Sequence, residues 1–379
     1  MKIFHLSDLH IGKRLKEYSM LENQKYVLSQ ICEICDDEKV DCVVIAGDIY
    51  DKTIPPAEAV QVFDDFLYKL TQKNIPVLII SGNHDSAERI SFGGRVMSAG
   101  GVYIAPVYNG KIQPVILSDE HGEVNFYLLP FIKPSNVRGF YPDRKIESFT
   151  EALEAVIGDI EIDDAKRNIL VTHQFVTGSQ LSKSEEFFVG GTENVDGGIF
   201  DTFDYVALGH IHRPQFVGSS KIRYCGSQLK YHIDEVNQEK SFTIADIDEN
   251  GSVSIKEIPI KPLRDVKSYK GTYEQLTDKN FYSNINTEDY IYITLTDEAD
   301  IPDGARKLKK VYPNLLQLFY DNSRTRKNNV ILSDVRNEKM PPIDIFSEFF
   351  ELKCNRKMTD EQKEFMESLI KTVWEEEIL

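Results

Sequence analysis

Cysteine is scarce and scattered in this chain: five in 379 residues, at positions 32, 35, 42, 225 and 354. That is too few and too irregular for a disulfide framework. Cys32 and Cys35 form a C-x-x-C, but they fall in a helical pattern (Val27, Leu28, Ile31, Cys32, Ile34, Cys35) with no second pair to complete a zinc site. They read as small buried apolar residues rather than a redox pair. No run approaches the roughly 18 apolar residues of a membrane helix, so no helical span is expected. Nor does an apolar signal region follow Met1. Lys2-Ile3-Phe4-His5-Leu6 reads instead as a first strand, and the cytoplasm is the expected compartment.

Positive charge is also in deficit, with 44 Lys and Arg against 61 Asp and Glu, a net charge of −17. Taken alone this speaks against a polyanionic partner, because phosphate contacts need cations. The average misleads, however. Carboxylates that ligate metal count as acidic yet create a cationic site once the metal is bound. Residues 343–379 hold ten acidic and five basic residues, and so supply five of the seventeen charges.

What is present is a series of short apolar runs ending in polar, glycine-containing turns: Ile3–Leu6, Cys42–Ala46, Val77–Ile80, Phe126–Leu129, Ile169–Val171 and Tyr205–Leu208. Helix-like stretches at Leu21–Cys35 and Ala57–Leu70 separate the first three, which predicts an α/β arrangement with parallel strands. Hairpin-like runs after Lys221 suggest a second, more antiparallel sheet closing the same domain. Pro259 and Pro262 bracket a boundary. The expected organisation is a catalytic domain over 1–262, a small α+β capping domain over 263–340 with a polar loop at Arg324–Asn329, and terminal helices over 341–379.

Five motifs follow directly on those runs: Asp8-Leu9-His10, Gly47-Asp48, Gly82-Asn83-His84-Asp85, Thr172-His173 and Gly209-His210-Ile211-His212. In open α/β sheets the carboxyl edge of the strands is where ligands bind. Imidazole with carboxylate suits Mn, Fe or Zn, and the absence of cysteine ligands argues against structural zinc. Asp8, Asp48, Asn83 and four or five of His10, His84, His173, His210 and His212 are too many donors for one ion and fit two, which can clamp a phosphate between them. Asp8 and His10, two apart, are expected on one face of extended backbone. Glycines before Asp48, Asn83 and His210 let backbone approach the metals closely. Each motif has a plainer reading. D-x-H is common by chance, Gly-Asp is often only a turn, and a lone strand-end histidine is usually structural. Five in this order are not coincidence. His5, His121 and His232 lack such settings and read as structural or surface residues.

These motifs resemble the calcineurin-like metallophosphoesterases. The resemblance implies a four-layer α/β/β/α sandwich, with Asp8, His10 and His212 on one metal, Asn83, His173 and His210 on the other, and Asp48 between them. It gives His84 a catalytic role over the phosphate and makes Asp85 the residue that orients it. Ser7–Lys13, Gly47–Asp51 and His84–Gly93 are similar, more narrowly, to the SbcD nuclease subunits, which pair with the coiled-coil ATPase SbcC. That resemblance implies two Mn ions per chain, with Mg or another divalent ion as the alternative, 3′–5′ exonuclease action on duplex DNA with single-strand endonuclease action, and a homodimer within a heterotetramer. It also implies a place in DNA end and hairpin processing, repair and recombination. Gln228 departs from the family, which carries proline there, and puts only that loop's shape in question.

DNA contact is less sharply marked. Lys13, Arg14, Lys16, Arg89, Arg95 and Arg213 lie beside the metal motifs, where a phosphate track would need them, although each taken alone reads equally as solvated charge. Tyr18, Tyr50 and Phe92 are candidates for base stacking, with core packing the plainer reading of Phe92. At the end of the chain Thr359 and Gln362 form a capping box. Phe365, Met366, Leu369, Ile370, Val373 and Trp374 follow as an apolar stripe, with Ile345, Phe346, Phe349 and Phe350 before them. The stripes fit equally a fold back on the chain's own second domain and helix-in-groove docking; the resemblance makes this pair the docking site for the ATPase coiled coil.

Two other functions compete. A phosphomonoesterase or cyclic-nucleotide phosphodiesterase on the same core would not need the region after residue 262. A non-catalytic scaffold should lack ligands, and none is missing.

Overall fold

Residues 1–181, 194–323, 325–326, 342–354 and 356–376 are described in the computed structural model of the chain. It divides into two compact units, Met1–Ser268 with Glu288–Ile291, and Tyr269–Thr287 with Tyr292–Leu379.

The first unit is built on two six-stranded sheets. Strands β1 (Lys2–Leu6), β2 (Cys42–Ala46), β3 (Val77–Ile80) and β4 (Val102–Ile104) run parallel in the first sheet. Helices α1 (Leu21–Glu38) and α2 (Ala57–Gln72) cross over between the first three. Both faces of these strands are covered, which is why Val43-Val44-Ile45 and Leu78-Ile79-Ile80 read as unbroken apolar runs.

The second sheet begins with a hairpin, β5 (Val115–Asp119) and β6 (Gly122–Leu129). It continues through α3 (Phe149–Gly158), β7 (Arg167–His173), β8 (Tyr205–Gly209), β9 (Gln215–Val217) and β10 (Ser219–Tyr224), in the order β9-β10-β8-β7-β6-β5. Ser148 starts α3 by accepting from the Glu151 amide at 3.2 Å, while Glu151 accepts from the Ser148 amide at 3.0 Å, so two otherwise orphaned donors are satisfied. Its buried residues Leu153 and Val156 pack on Leu170 and Val206 of the sheet.

One expectation is corrected here. The hairpin after Lys221, β11 (Ser241–Ile247) and β12 (Val253–Pro259), founds no second sheet; β11 pairs antiparallel with β1 and extends the first. Phe242, Ile244, Ala245 and Ile247 are buried and find their apolar neighbours on that edge. Between the sheets lies a core that includes Ile3, Val44, Leu78, Phe126, Val171 and Ala207. The expected four-layer sandwich is thus present. A polar tie crosses this core: His5 on β1 meets the Tyr205 hydroxyl at 2.9 Å and the Leu208 carbonyl at 3.2 Å on β8.

A separate three-stranded sheet is ordered β13 (Val266–Gly271), β14 (Tyr290–Leu295), β15 (Leu315–Tyr320). A short basic helix spans Gly304–Leu308. Of the expected polar loop, Arg324 and residues 327–329 lie outside the described residues. Two helices, α4 (Pro342–Cys354) and α5 (Asp360–Glu376), end the described chain. The Thr359 amide donates to Gln362 Oε1 at 3.1 Å and the Gln362 amide to Thr359 Oγ1 at 3.3 Å, forming the capping box. No described helix is long and apolar enough to cross a membrane.

Candidate metal centre

Strand register assembles the site. Leu6 is aligned with Ile45 and Ala46 with Ile80, so Asp8, Asp48 and Asn83 emerge side by side beyond three parallel neighbours. In the second sheet Gly209 is aligned with His173, which brings His210 beside it. The two rims are joined directly. His173 Nδ1 faces the Ala46 carbonyl at 2.7 Å, and the His210 amide donates to the Asp8 carboxylate at 3.2 Å.

Asp8 and His10 are not on extended backbone, contrary to expectation. Their φ values are 52° and 43°, and Asp48 (51°) and His210 (103°) are also left-handed; these are four of the eight non-glycine residues with positive φ among the described residues. The reason is visible in the turn. Past the strand ends the two loops keep hydrogen bonding, Asp8 N to Gly47 O at 3.0 Å and His10 N to Asp48 O at 3.0 Å, and the chain must coil to do so. Such strained residues persist only where their surroundings over-determine them, typically at active sites. Gly82 and Gly209 are required by space: a Cβ at the first would strike the Asp48 carboxylate, and at the second the Ala46 carbonyl oxygen.

All seven expected ligands and His84 converge. Asp48 Oδ2 is 3.6 Å from both His10 Nε2 and His173 Nε2 and 4.0 Å from His84 Nε2. His10 Nε2 is 3.1 Å from His212 Nε2. Asn83 Oδ1 is 3.0 Å from His173 Nε2 and 3.1 Å from His210 Nδ1. Donor atoms of Asp8, His10 and His212 lie within 4.8 Å of one another, as do those of Asp8, Asp48 and His173, and those of His10, Asp48 and His84.

The electrostatics fit a cation. Asp8 and Asp48 are both buried, and among the described residues neither is paired with a lysine or arginine, a costly arrangement unless a metal supplies the positive charge. Burial pushes the Asp8 carboxyl up. On Asp48 the same penalty is outweighed by His173, His10 and His84, which hold it well below the usual carboxylate range. Burial drives His10 far down and His210 to about 3, leaving neutral rings with lone pairs to donate. His173 is equally buried, yet Asp48 lifts it to about 9, so that a proton holds a place suited to a metal ion.

The structure revises several other assignments. Asp85 does not orient the His84 ring. Its carboxylate accepts from the amides of Gly82 (3.0 Å), Ile49 (3.1 Å) and Tyr50 (3.0 Å), locking the Asp48 and Asn83 loops together. The Asp51 carbonyl instead holds His84 Nδ1, at 3.0 Å, turning Nε2 toward Asp48. Tyr50 is buried edge-on against Phe63 and is no stacking platform. Phe92 is the reverse case, 85% exposed where core packing was expected. Tyr18 lies against Tyr290. Of the basic residues, Lys13 pairs with Asp51 at 2.7 Å, Arg14 reaches the Glu17 carbonyl, and Lys16, Arg89, Arg95 and Arg213 are exposed. His232, read as peripheral, helps line the 240 Å³ pocket over the site. Gln228 is buried, with its amide nitrogen 3.3 Å from the Gly226 carbonyl. Cys32 and Cys35 are buried thiols, and burial pushes Cys35 up to about 12, which suits packing rather than redox chemistry.

Three supporting residues escaped the sequence reading. Gln24 on α1 braces the first loop, donating to the Leu9 and His10 carbonyls at 3.2 and 2.7 Å. The Tyr231 hydroxyl donates to Leu9 O at 2.5 Å. Glu235 meets His212 Nδ1 at 3.0 Å. Only the second carried a signal, as an aromatic residue just past a glycine turn.

Two stacked α/β sheets with His, Asp and Asn donors at a shared carboxyl rim define a metallophosphoesterase. Residues 1–214 match the calcineurin-like phosphoesterase family, and residues 261–353 match the family described as type 5 capsule protein repressor C-terminal domain. The chain is 34% identical to the SbcD subunit of the SbcCD nuclease of Staphylococcus epidermidis, in an alignment that covers 100% of both chains. Among solved structures, a dimetal phosphatase from Danio rerio aligns with TM-score 0.42 and 13% identity, covering 69% of this chain and 98% of that one. The protein TT1561 of Thermus thermophilus aligns with TM-score 0.39 and 11% identity over 68% of this chain and 98% of its own. The chain belongs to the calcineurin-like phosphoesterases and, within them, to the SbcD nuclease subunits. It is a metal-dependent phosphodiester hydrolase with a nuclease role.

Proposed function

We propose that the rim holds two Mn ions and cleaves DNA, as a 3′–5′ exonuclease on duplex ends and an endonuclease on single strands, in cytoplasmic DNA end and hairpin processing, repair and recombination. Asp8, His10 and His212 would hold one ion, Asn83, His173 and His210 the other, with Asp48 shared. The observation that carries this reading is the single Asp48 oxygen 3.6 Å from a histidine of each set. A bound ion pair supplies an activated water and charge to stabilise the phosphate in displacement. His84 acts from this chain's side. The Asp51 carbonyl fixes its ring, and Nε2 faces the rim, placed to hydrogen bond a phosphate oxygen or protonate the leaving one. Asp85 serves by keeping the two loops in register.

The partner we propose is a coiled-coil ATPase of the SbcC type, docking on residues 341–379, with residues 263–340 as a DNA-facing cap. In support, α4 and α5 leave an apolar groove of about 310 Å³ between Phe346, Phe350, Met358, Phe365 and Met366. Phe365 is 66% exposed and Leu369 44%; the side chains of Val373 and Trp374 lie outside the described residues. A homodimer within a heterotetramer is supported by exposed Ile54, Val60, Phe92 and Val96, in segments leading from the same rim.

Digestion of linear duplex DNA, with Mn or Mg and with or without the ATPase, tests the reading, together with metal analysis. We expect Mn-dependent degradation, two ions per chain, and loss of both in Asp48→Asn. Cleavage of phosphomonoesters but not of DNA would favour the phosphatase alternative.

A further inference from the structure

Behind His212 lies a buried ion pair, Glu235 with Lys240. Glu235 is wholly buried, on a short turn 23 residues beyond His212. One of its oxygens is 3.0 Å from His212 Nδ1, and the other is 2.7 Å from Lys240 Nζ. Lys240, with its side chain 5% exposed, also donates to the His212 carbonyl at 2.8 Å and to Ser227 Oγ at 2.9 Å. The lysine therefore grips both the carboxylate and the backbone of the residue that the carboxylate holds.

A buried ion pair is a poor device for stability, because desolvation consumes most of the Coulombic gain and an apolar pair of similar volume often serves as well. Its geometry has a clearer use. A carboxylate on Nδ1 fixes the imidazole as the Nδ1–H tautomer and leaves Nε2, the atom 3.1 Å from His10 Nε2, with its lone pair facing the rim. It also makes that nitrogen a stronger donor. Lys240 Nζ, 2.7 Å from the second Glu235 oxygen, supplies the counter-charge that a buried carboxylate needs.

We infer that Glu235 is a positioning residue for His212, with Lys240 as its counter-ion, and that the pair tunes the affinity of the Asp8–His10–His212 metal position selectively. The inference rests on the two-ion reading of the rim. At the other position His173 turns its Nδ1 to a neutral group, the Ala46 carbonyl, rather than to a carboxylate, so an asymmetry in affinity between the two ions follows.

The test is a Mn titration of the metal-stripped full chain, followed by the paramagnetic resonance of free Mn. Two double variants both remove the lysine charge, so neither leaves an unpaired ion behind. Glu235→Leu/Lys240→Met should melt cooperatively and weaken one of two ions by about 10–100-fold while leaving the other unchanged. Glu235→Gln/Lys240→Met keeps an oxygen for the Nδ1–H and should recover most of that loss. Equal affinity in the leucine variant and wild type would overturn the inference. So would a glutamine variant as weak as the leucine one, or parallel loss of both ions with the fold, which would make the pair a structural brace. Should wild type take a single ion, the two-ion reading fails, and the leucine variant then decides the role of Glu235 on that ion alone.

Discussion

At the scale of single residues, the site separates donors from the groups that aim them. The His84 side chain is substantially exposed, 39%, while the rings of the proposed ligands His10, His173 and His212 are 1%, 0% and 14% exposed. An accessible ring anchored through Nδ1 suits a group that meets substrate. His84→Gln should therefore keep both metals and DNA affinity while cleavage falls by about 10²–10⁴-fold. Loss of metal in this variant would reassign His84 to the ligand set, as its 4.0 Å approach to Asp48 allows. His5 carries a different prediction. Burial, followed by the charge of Arg223, drives its pKa down to about 3, far below the unfolded value near 6.5. A depressed folded pKa gives stability that is present above the unfolded value and lost as pH falls below it. From pH 7.5 to 5 this ring should cost the metal-free protein about 2 kcal/mol. His5→Gln should be less stable at pH 7.5 yet flatter against pH by that amount in denaturant titrations. Parallel curves would show that the ring does not report on folding.

At the scale of elements, the parallel strands set the spacing of donors and the loops set their direction. The terminal helices belong to the second compact unit, and the donors to the first. Phe365 and Leu369, four apart, share one face of α5, and their exposure leaves an anchor available for a partner. Deleting residues 359–379 should give a folded chain that still cleaves small phosphodiesters with Mn but no longer co-purifies with the ATPase. Aggregation, or loss of the metal centre, would place the helix in the chain's own fold instead.

For the molecule as a whole, a net charge of −17 coexists with exposed cations in the segments that follow the rim motifs, Lys16, Arg89, Arg95 and Arg213 among them. The acidic total is thus no bar to a phosphate-bearing substrate at that edge. The exposed Phe92 and Val96, 85% and 80%, are large apolar groups that the proposed homodimer would cover. Phe92→Glu/Val96→Glu should shift the chain to a monomer in light scattering while each copy keeps metal and phosphodiester cleavage. An unchanged mass would send these residues to another role.

The sequence by itself determined which residues meet at the rim, because a metal ligand at a strand end leaves a local signature: an apolar run, a glycine, then Asp, Asn or His. It determined the α/β crossovers and the Thr359 cap for the same reason, each being written within a few consecutive residues. Only the tertiary structure decided how those residues are held. The left-handed turns at Asp8 and His10 exist because the Asp48 loop lies alongside, and no local pattern demands them. Asp85 was given the wrong partner, since proximity in sequence to His84 is not proximity to its ring. The hairpin at 241–259 was given the wrong sheet, since its alternation shows one buried face but not which edge will cover it. Gln24 and Glu235 were missed because they act across 14 and 23 positions respectively, on carbonyls and ring nitrogens that become neighbours only when the chain folds.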